Sequence, residues 1–463
     1  MSKLSDLQKR MVALHGDREL FEQAKGYAYE YMDQVYEREV FPTDEALAGL
    51  ANFDEPVPEA GGDPAAMLRM LHEYGSPATV TSTGSRYYGM VIGSVFPPVM
   101  AAKWLADVWD QTPALYVSSP VVAKIEAICE QWVVDLLGLP QGSVAGLVSG
   151  SSIATLCGLA TGRYEILRTA GWDVTSQGLF GAPPIRVIVG AEAHSTVFRA
   201  LSTLGLGKDR VELVPVDEQG RMLASAVPEL DETCLVILQA GNVNSGAFDP
   251  IDEICEKANS AGAWVHIDGA FGLWAGASAS KKHLTQGIEK ADSWSVDGHK
   301  TLNTPYDCGI ILCRDGKALS TALQASGAYI LYGEQRDGMM YTPEMSRRGR
   351  AVELWATLKM LGRRGVEELV DGLCERAQQF AELMQAEGFQ VLNDVVFNQV
   401  LIACDAPDET ASTLANLQRS GECWCGAGNW HDMPLIRVSV CSWSTTAADI
   451  ERTVAAFVAA RGK

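Results

Sequence analysis

The feature that most narrows the fold is a set of short runs with no polar face. Ile185–Val189, Val211–Val216, Leu235–Leu238, Trp264–Ile267 and Gly309–Cys313 are β-branched or apolar almost throughout. A strand without a polar face must be covered on both sides, the habit of parallel sheets. Between these runs lie stretches of helical periodicity, Val121–Leu137, Ile153–Ala170, Ser195–Leu204 and Ile251–Ala261. The alternation predicts an α/β fold, a mostly parallel sheet covered by helices. Ligands of such sheets bind beyond the carboxyl ends of the strands.

The flanks read differently. Residues 1–85 hold helical patterns (Leu20–Val40, Pro64–Tyr74) broken by the stretch DEPVPEAGGD, and are expected to form a helical N-terminal arm. Such an arm cannot bury its apolar face alone, so it should pack on something larger, such as another subunit. From 346 onwards come helices (Ala351–Leu361, Val366–Ala386), short strands (Phe389–Val391, Gln399–Ala403, Leu435–Val440) and a closing helix, Ala447–Ala459. The expected division is an arm over 1–85, a large domain over 86–345 and a small C-terminal α+β domain over 346–463.

Charge excludes some partners. With 58 acidic and 37 basic residues the 463-residue chain carries −21, which argues against nucleic acid and against docking on anionic membranes. No apolar run is long enough to span a bilayer, and the charged opening MSKLSDLQKRMVALHGDREL does not resemble a signal peptide, so a cytoplasmic location is expected. The 11 cysteines have no framework spacing, and Cys423/Cys425 is a CxC with no second pair, so no metal site is expected.

Four segments carry chemistry. Ser295-Val-Asp-Gly-His-Lys300 ends a strand with a lysine. Taken alone, Lys300 reads as a solvated loop residue; the other reading is a Schiff-base lysine for a carbonyl cofactor. Its neighbours favour the second. Trp264-Val-His-Ile-Asp268-Gly-Ala270 is an apolar strand ending in an acid, which needs a cationic partner. Val148-Ser-Gly-Ser-Ser152 precedes a helix and reads as a phosphate cradle or as a plain serine cap. His194, just past another strand, could stack on an aromatic ring or be a packed structural residue.

In this order and at these strand ends, the segments resemble the pyridoxal 5′-phosphate (PLP)-dependent group II amino acid decarboxylases, within the fold-type I, aspartate aminotransferase-like superfamily. The resemblance spans roughly residues 80–450. It implies a large domain with a seven-stranded type of sheet, PLP as cofactor, and a homodimer with shared active sites. It implies Lys300 as the Schiff-base lysine with His299 before it, Asp268 on the pyridine nitrogen, Ala270 under the ring and His194 stacked on it. Gly150, Ser151 and Ser152 fall at the phosphate, where the family more often reads SGGS. Asn242 lies where many relatives carry GTTxxG, Asp297 where several have Asn, and Ser346 where the facing subunit contributes to phosphate binding. Trp355, Arg437, Trp443 and Thr445 resemble small-domain motifs.

The implied reaction is decarboxylation of an L-amino acid to the amine and CO2. The acid returning a proton to Cα would be Tyr329, on a glycine-containing loop after Lys300, with Tyr332 as its neighbour and rival. Retention of Tyr329 and His194 disfavours the family's aldehyde-forming variants; a carbon–carbon lyase, an aminotransferase and a catalytically inert binding protein are the other readings. A nicotinamide enzyme would need GxGxxG, which GSSIATLCG lacks. Tyr87, Tyr88, Met90 and Ile92 are the expected substrate wall, which favours an apolar or aromatic substrate over an acidic one. Arg86 is either a carboxylate contact or a surface residue. An acidic protein holding phosphate needs local positive charge, from Lys300, the helix near Ile153 and Arg347 or Arg348 of the facing subunit.

Overall fold

The structure, a computed structural model, describes residues 4–324 and 335–462. Seven strands form the central sheet: β1 (Val144–Val148), β2 (Arg186–Gly190), β3 (Glu212–Val214), β4 (Cys234–Gln239), β5 (Trp264–Asp268), β6 (Ser293–Asp297) and β7 (Gly309–Cys313). Their order is β1-β7-β6-β5-β4-β2-β3. Strands β3, β2, β4, β5 and β6 run parallel, while β7 is antiparallel to both β6 and β1. The sheet is therefore mostly parallel, as its unbroken apolar runs predict, and β4, β6 and β7 are buried at every position. Because β7 reverses direction twice, β1 points the same way as β6. The carboxyl ends of β1, β2, β4, β5 and β6 all lie at one edge of the sheet.

The helix Ser151–Thr169 leaves that edge from the end of β1 and packs across β5, β6 and β7. On the opposite side, Pro120–Leu136 packs against the long helix Ala351–Ala386, which is interrupted at Gly362. Sequence periodicity separates the same two helical segments.

A second, four-stranded antiparallel sheet has the order β10-β11-β9-β8, from β8 (Gln390–Val391), β9 (Gln399–Ala403), β10 (Gly426–Trp430) and β11 (Met433–Ser439). The helices Pro407–Arg419 and Ala447–Arg461 complete its core, where Phe380, Phe389 and Phe457 meet edge to face. Strand β10 is not anticipated by the sequence reading. Its GAGNW segment has poor strand propensity, and it is extended by continuous pairing with β11.

The arm helices Asp6–His15 and Arg18–Gln34 contain no buried residue. The second stops at Gln34 rather than Val40, because Val40 leaves the helix to donate to the Gly421 carbonyl and is itself buried. Arg86 fixes this junction. Its Nε donates to the Glu422 carbonyl at 2.7 Å and its Nη1 to the Tyr36 carbonyl at 3.0 Å, with Asp449 Oδ1 at 3.8 Å. Only 4% exposed, it is neither a surface residue nor a free carboxylate contact, so both sequence readings fail. Arg86→Met should lower the unfolding free energy by about 3 kcal/mol in urea titration, since it strands buried acceptors and Asp449. A loss below about 1 kcal/mol would mean that water replaces the guanidinium without penalty.

Candidate active site

Each segment singled out in the sequence comes off a strand at the shared carboxyl edge. Asp268 is the last residue of β5, and Asp297 the last of β6. Lys300 lies on the connection from β6 to β7, and His194 caps the helix Ser195–Thr203 just beyond β2. Gly150 precedes the helix that follows β1 and gives it no side-chain cap; the Ser151 amide is met instead by Asp297, and the helix N-terminus opens at the site.

Lys300 has its amine at this edge. Its Nζ lies 3.2 Å from Asp297 Oδ2, and Asp297 Oδ1 accepts the Ser151 amide at 2.6 Å. Asp297, 1% exposed, thus joins the amine to the helix terminus. His299 sits 3.6 Å from the same carboxylate through Nε2, accepts the Cys308 amide on Nδ1 at 3.1 Å, and stacks on Tyr306 with ring centroids 4.2 Å apart. Burial holds its pKa down.

Asp268 is 6% exposed and accepts the Ala270 amide at 3.3 Å. Burial raises its pKa, while His194, Lys300 and the Ala270 amide pull it back. Burial lowers the pKa of His194, reinforced by Lys300 and Arg437. Its Nδ1 accepts the Thr196 amide at 3.3 Å, which leaves Nε2 to carry the proton of the neutral ring. The structure therefore gathers an amine, a buried acid, a neutral imidazole and a helix N-terminus with Gly150, Ser151 and Ser152. That donor set fits PLP. Lys300 would carry its aldehyde carbon, Asp268 would hold its ring nitrogen, and Ser151 and Ser152 would receive its phosphate.

Other expected residues sit elsewhere. Asn242 is 1% exposed; its Oδ1 accepts the Asn244 and Ser245 amides and its Nδ2 donates to the Glu192 carbonyl. It ties the β4 loop to the loop bearing His194. Tyr87 and Tyr88 are both buried among other side chains. Tyr87, 4% exposed, stacks on Trp424, and Tyr88, 1% exposed, bonds Thr453 within the core of the second sheet. Met90 is exposed and Ile92 half-buried, on a segment that crosses Lys300. Gly93 donates to the His299 carbonyl, and a Cβ there would lie 2.1 Å from the Lys300 carbonyl oxygen. Arg347 is buried 2.8 Å from Glu126, and Arg348 pairs with Asp307 and Glu353, so neither is spare charge for a phosphate. Ser346 is exposed. Tyr329 and Tyr332 lie outside the described residues.

Two further residues stand at the site, Tyr306, which the sequence reading does not single out, and Arg437, which it reads only as part of a small-domain motif. Tyr306 is half-exposed against His299, and is brought there by the short return into β7. Arg437, on β11, donates to the Val243 carbonyl at 3.4 Å and has no carboxylate partner among the described residues. Burial lowers its pKa.

Comparison with known proteins agrees with this geometry. The aromatic-L-amino-acid decarboxylase of Bacillus atrophaeus is 28% identical over 411 residues, covering 86% of this chain and 83% of that protein. The acidic amino acid decarboxylase of Mus musculus is 26% identical over 362 residues, covering 75% of this chain and 64% of that protein. In fold, the crystal structure of mouse CSAD superposes with a TM-score of 0.88 at 21% identity, covering 97% of this chain and 98% of that one. Residues 81–403 match the pyridoxal-dependent decarboxylase conserved domain. A buried acid, a neutral histidine and a strand-end lysine inside that matched stretch are what a PLP carboxy-lyase requires, and the chain belongs to the pyridoxal-dependent decarboxylase family.

Proposed function

We propose that this PLP-dependent decarboxylase acts on an L-amino acid with an apolar or aromatic side chain, releasing the amine and CO2. What supports the substrate class is the segment that crosses the Lys300 backbone, which carries Met90 and Ile92, together with half-exposed Tyr306 stacked on His299. Bound PLP supplies an electron-withdrawing ring that accommodates the electron pair left by departing CO2. Asp268 holds the proton on the ring nitrogen. Neutral His194 offers a flat, uncharged face, and Lys300 provides the anchoring amine. Tyr329 is proposed as the acid that returns a proton to Cα.

A second reading rests on Arg437, whose guanidinium lacks a carboxylate partner among the described residues. An acidic substrate would provide one. A homodimer is also part of the proposal. The arm helices expose Leu7 (58%), Met11 (49%) and Phe21 (57%), apolar area that a second copy would cover, and Ser346 is exposed as a residue shared across an interface would be.

A decarboxylation screen over the common L-amino acids tests the substrate class. Apolar or aromatic substrates should exceed aspartate and glutamate in kcat/KM by at least about tenfold, the scale of one good pocket contact. Preference for the acids would establish the second reading, with Arg437 as the contact. Amine and CO2 should appear in equal amounts; aldehyde, ammonia and peroxide as main products would overturn the reaction. Tyr329→Phe should lose most amine output, and normal output would remove the proton-donor role. Gly93→Ala should weaken PLP retention in dialysis, because the added methyl displaces the Lys300 backbone. Light scattering should find a dimer, and an active monomer would contradict the shared site.

A further inference from the structure

Next to Asp268 lies a line of buried polar groups that the reaction does not use directly. His266, Ser293, Ser295 and Thr155 are all 0% exposed, inside the layer between the sheet and the helix Ser151–Thr169. Trp264 Nε1 lies 3.3 Å from Ser293 Oγ, and Ser293 Oγ 2.9 Å from His266 Nδ1. His266 Nε2 lies 3.5 Å from Ser295 Oγ, which is 2.9 Å from Thr155 Oγ1 and 3.4 Å from Asp268 Oδ1.

We propose that Ser295, oriented by His266 and Thr155, is a positioning residue that keeps Oδ1 of Asp268 occupied and leaves Oδ2 as the oxygen presented to the PLP ring nitrogen. The direction of the hydrogen bonds follows from the donor inventory. An indole N–H only donates, so Trp264 gives its proton to Ser293. At the other end the Asp268 carboxylate only accepts, so Ser295 gives its proton to Asp268 and must accept from Nε2 of His266, which leaves Nδ1 to accept from Ser293. Ser295 accepts from His266 and Thr155, and its single hydroxyl proton is left for Asp268. Oδ1 then holds two donors, Ser295 and the Ala270 amide, while Oδ2 has none among the described residues. Burial keeps His266 neutral, with a pKa near about 3, so the line delivers hydrogen bonds without adding a charge that would compete with the ring nitrogen. The imidazole cannot turn away, because a Cβ added to Gly158 would lie only 2.4 Å from Nδ1; the helix backbone presses on the ring.

This inference rests on Asp268 being the acid at the ring nitrogen, as proposed above. The test measures PLP dissociation constants of the full chain by titrating apo-protein, with kcat and KM on the reconstituted enzyme. Ser295→Ala should raise the PLP dissociation constant about tenfold, the value of a hydrogen bond to a charged group, and lower kcat while KM stays within about twofold. Thr155→Val, which removes only the donor that orients Ser295, should move both quantities the same way by less. His266→Gln, which retains a donor near the Nε2 position, should recover part of the affinity lost in His266→Asn, whose amide reaches only the Nδ1 position. Unchanged PLP affinity and kcat in both Ser295→Ala and Thr155→Val would overturn the positioning role. So would equal losses in His266→Gln and His266→Asn, which would mark mere packing. Asp268→Asn separates the two levels: if it binds PLP as tightly as the parent, the assignment of Asp268 itself falls, whereas its loss with Ser295→Ala unaffected removes only the hydrogen-bonded line.

Discussion

A carboxylate sealed at the end of a strand must be met by positive charge or by donors, and the catalytic edge of the large domain meets that demand twice. Asp297 is met by Lys300, His299 and the first amide of a long helix. Asp268 is met by the Ala270 amide and Ser295 on one oxygen, with His194 and Lys300 contributing at longer range. The two acids end adjacent parallel strands, β5 and β6, so the sheet itself sets their separation. The amine is brought to Asp297 by the return from β6 into antiparallel β7, which has no crossover helix. Other features of the site, including the crossing of residues 90–93, are built around that short return.

The net charge of −21 looks at odds with a site for phosphate and carboxylate groups. The conflict is resolved by segregation. Arginines that seem free in the sequence are consumed internally: Arg347 by Glu126, Arg348 by Asp307 and Glu353, Arg86 by backbone carbonyls. The cationic character of the site comes from Lys300, Arg437 and the helix that starts at Ser151. Peptide dipoles and one largely buried guanidinium act locally and scarcely alter the charge of the outer surface.

Much of the sheet, and the core of the site, is legible in the sequence because both are written locally. An apolar run without polar alternation is a doubly covered strand, and a polar residue that ends such a run has few reasons to be there. Lys300, Asp268, His194 and the SGSS loop all carry that mark. What escapes reading depends on partners distant in the chain. Tyr87 and Tyr88 look like a pocket wall until Trp424 and Thr453 are seen to claim them. Asn242 resembles a ligand-binding amide, yet its loop and Glu192 use it. Strand β10 is extended only because β11 lies beside it. Arg437 appears as a motif letter, and its lack of a counter-ion becomes visible only in three dimensions.

The crossing at Gly93 has a consequence for how such an enzyme can change. Contact with the lysine turn is made by main chain, glycine against carbonyl, and the side chains of Met90 and Ile92 project from the same segment without bearing on that contact. With Met90 and Ile92 as the proposed substrate wall, substitutions at those two positions would change what the site admits while the amine stays in register with Asp297. On that proposal, recognition and the hold on the lysine turn are carried by separable parts of one short segment, its side chains and its main chain.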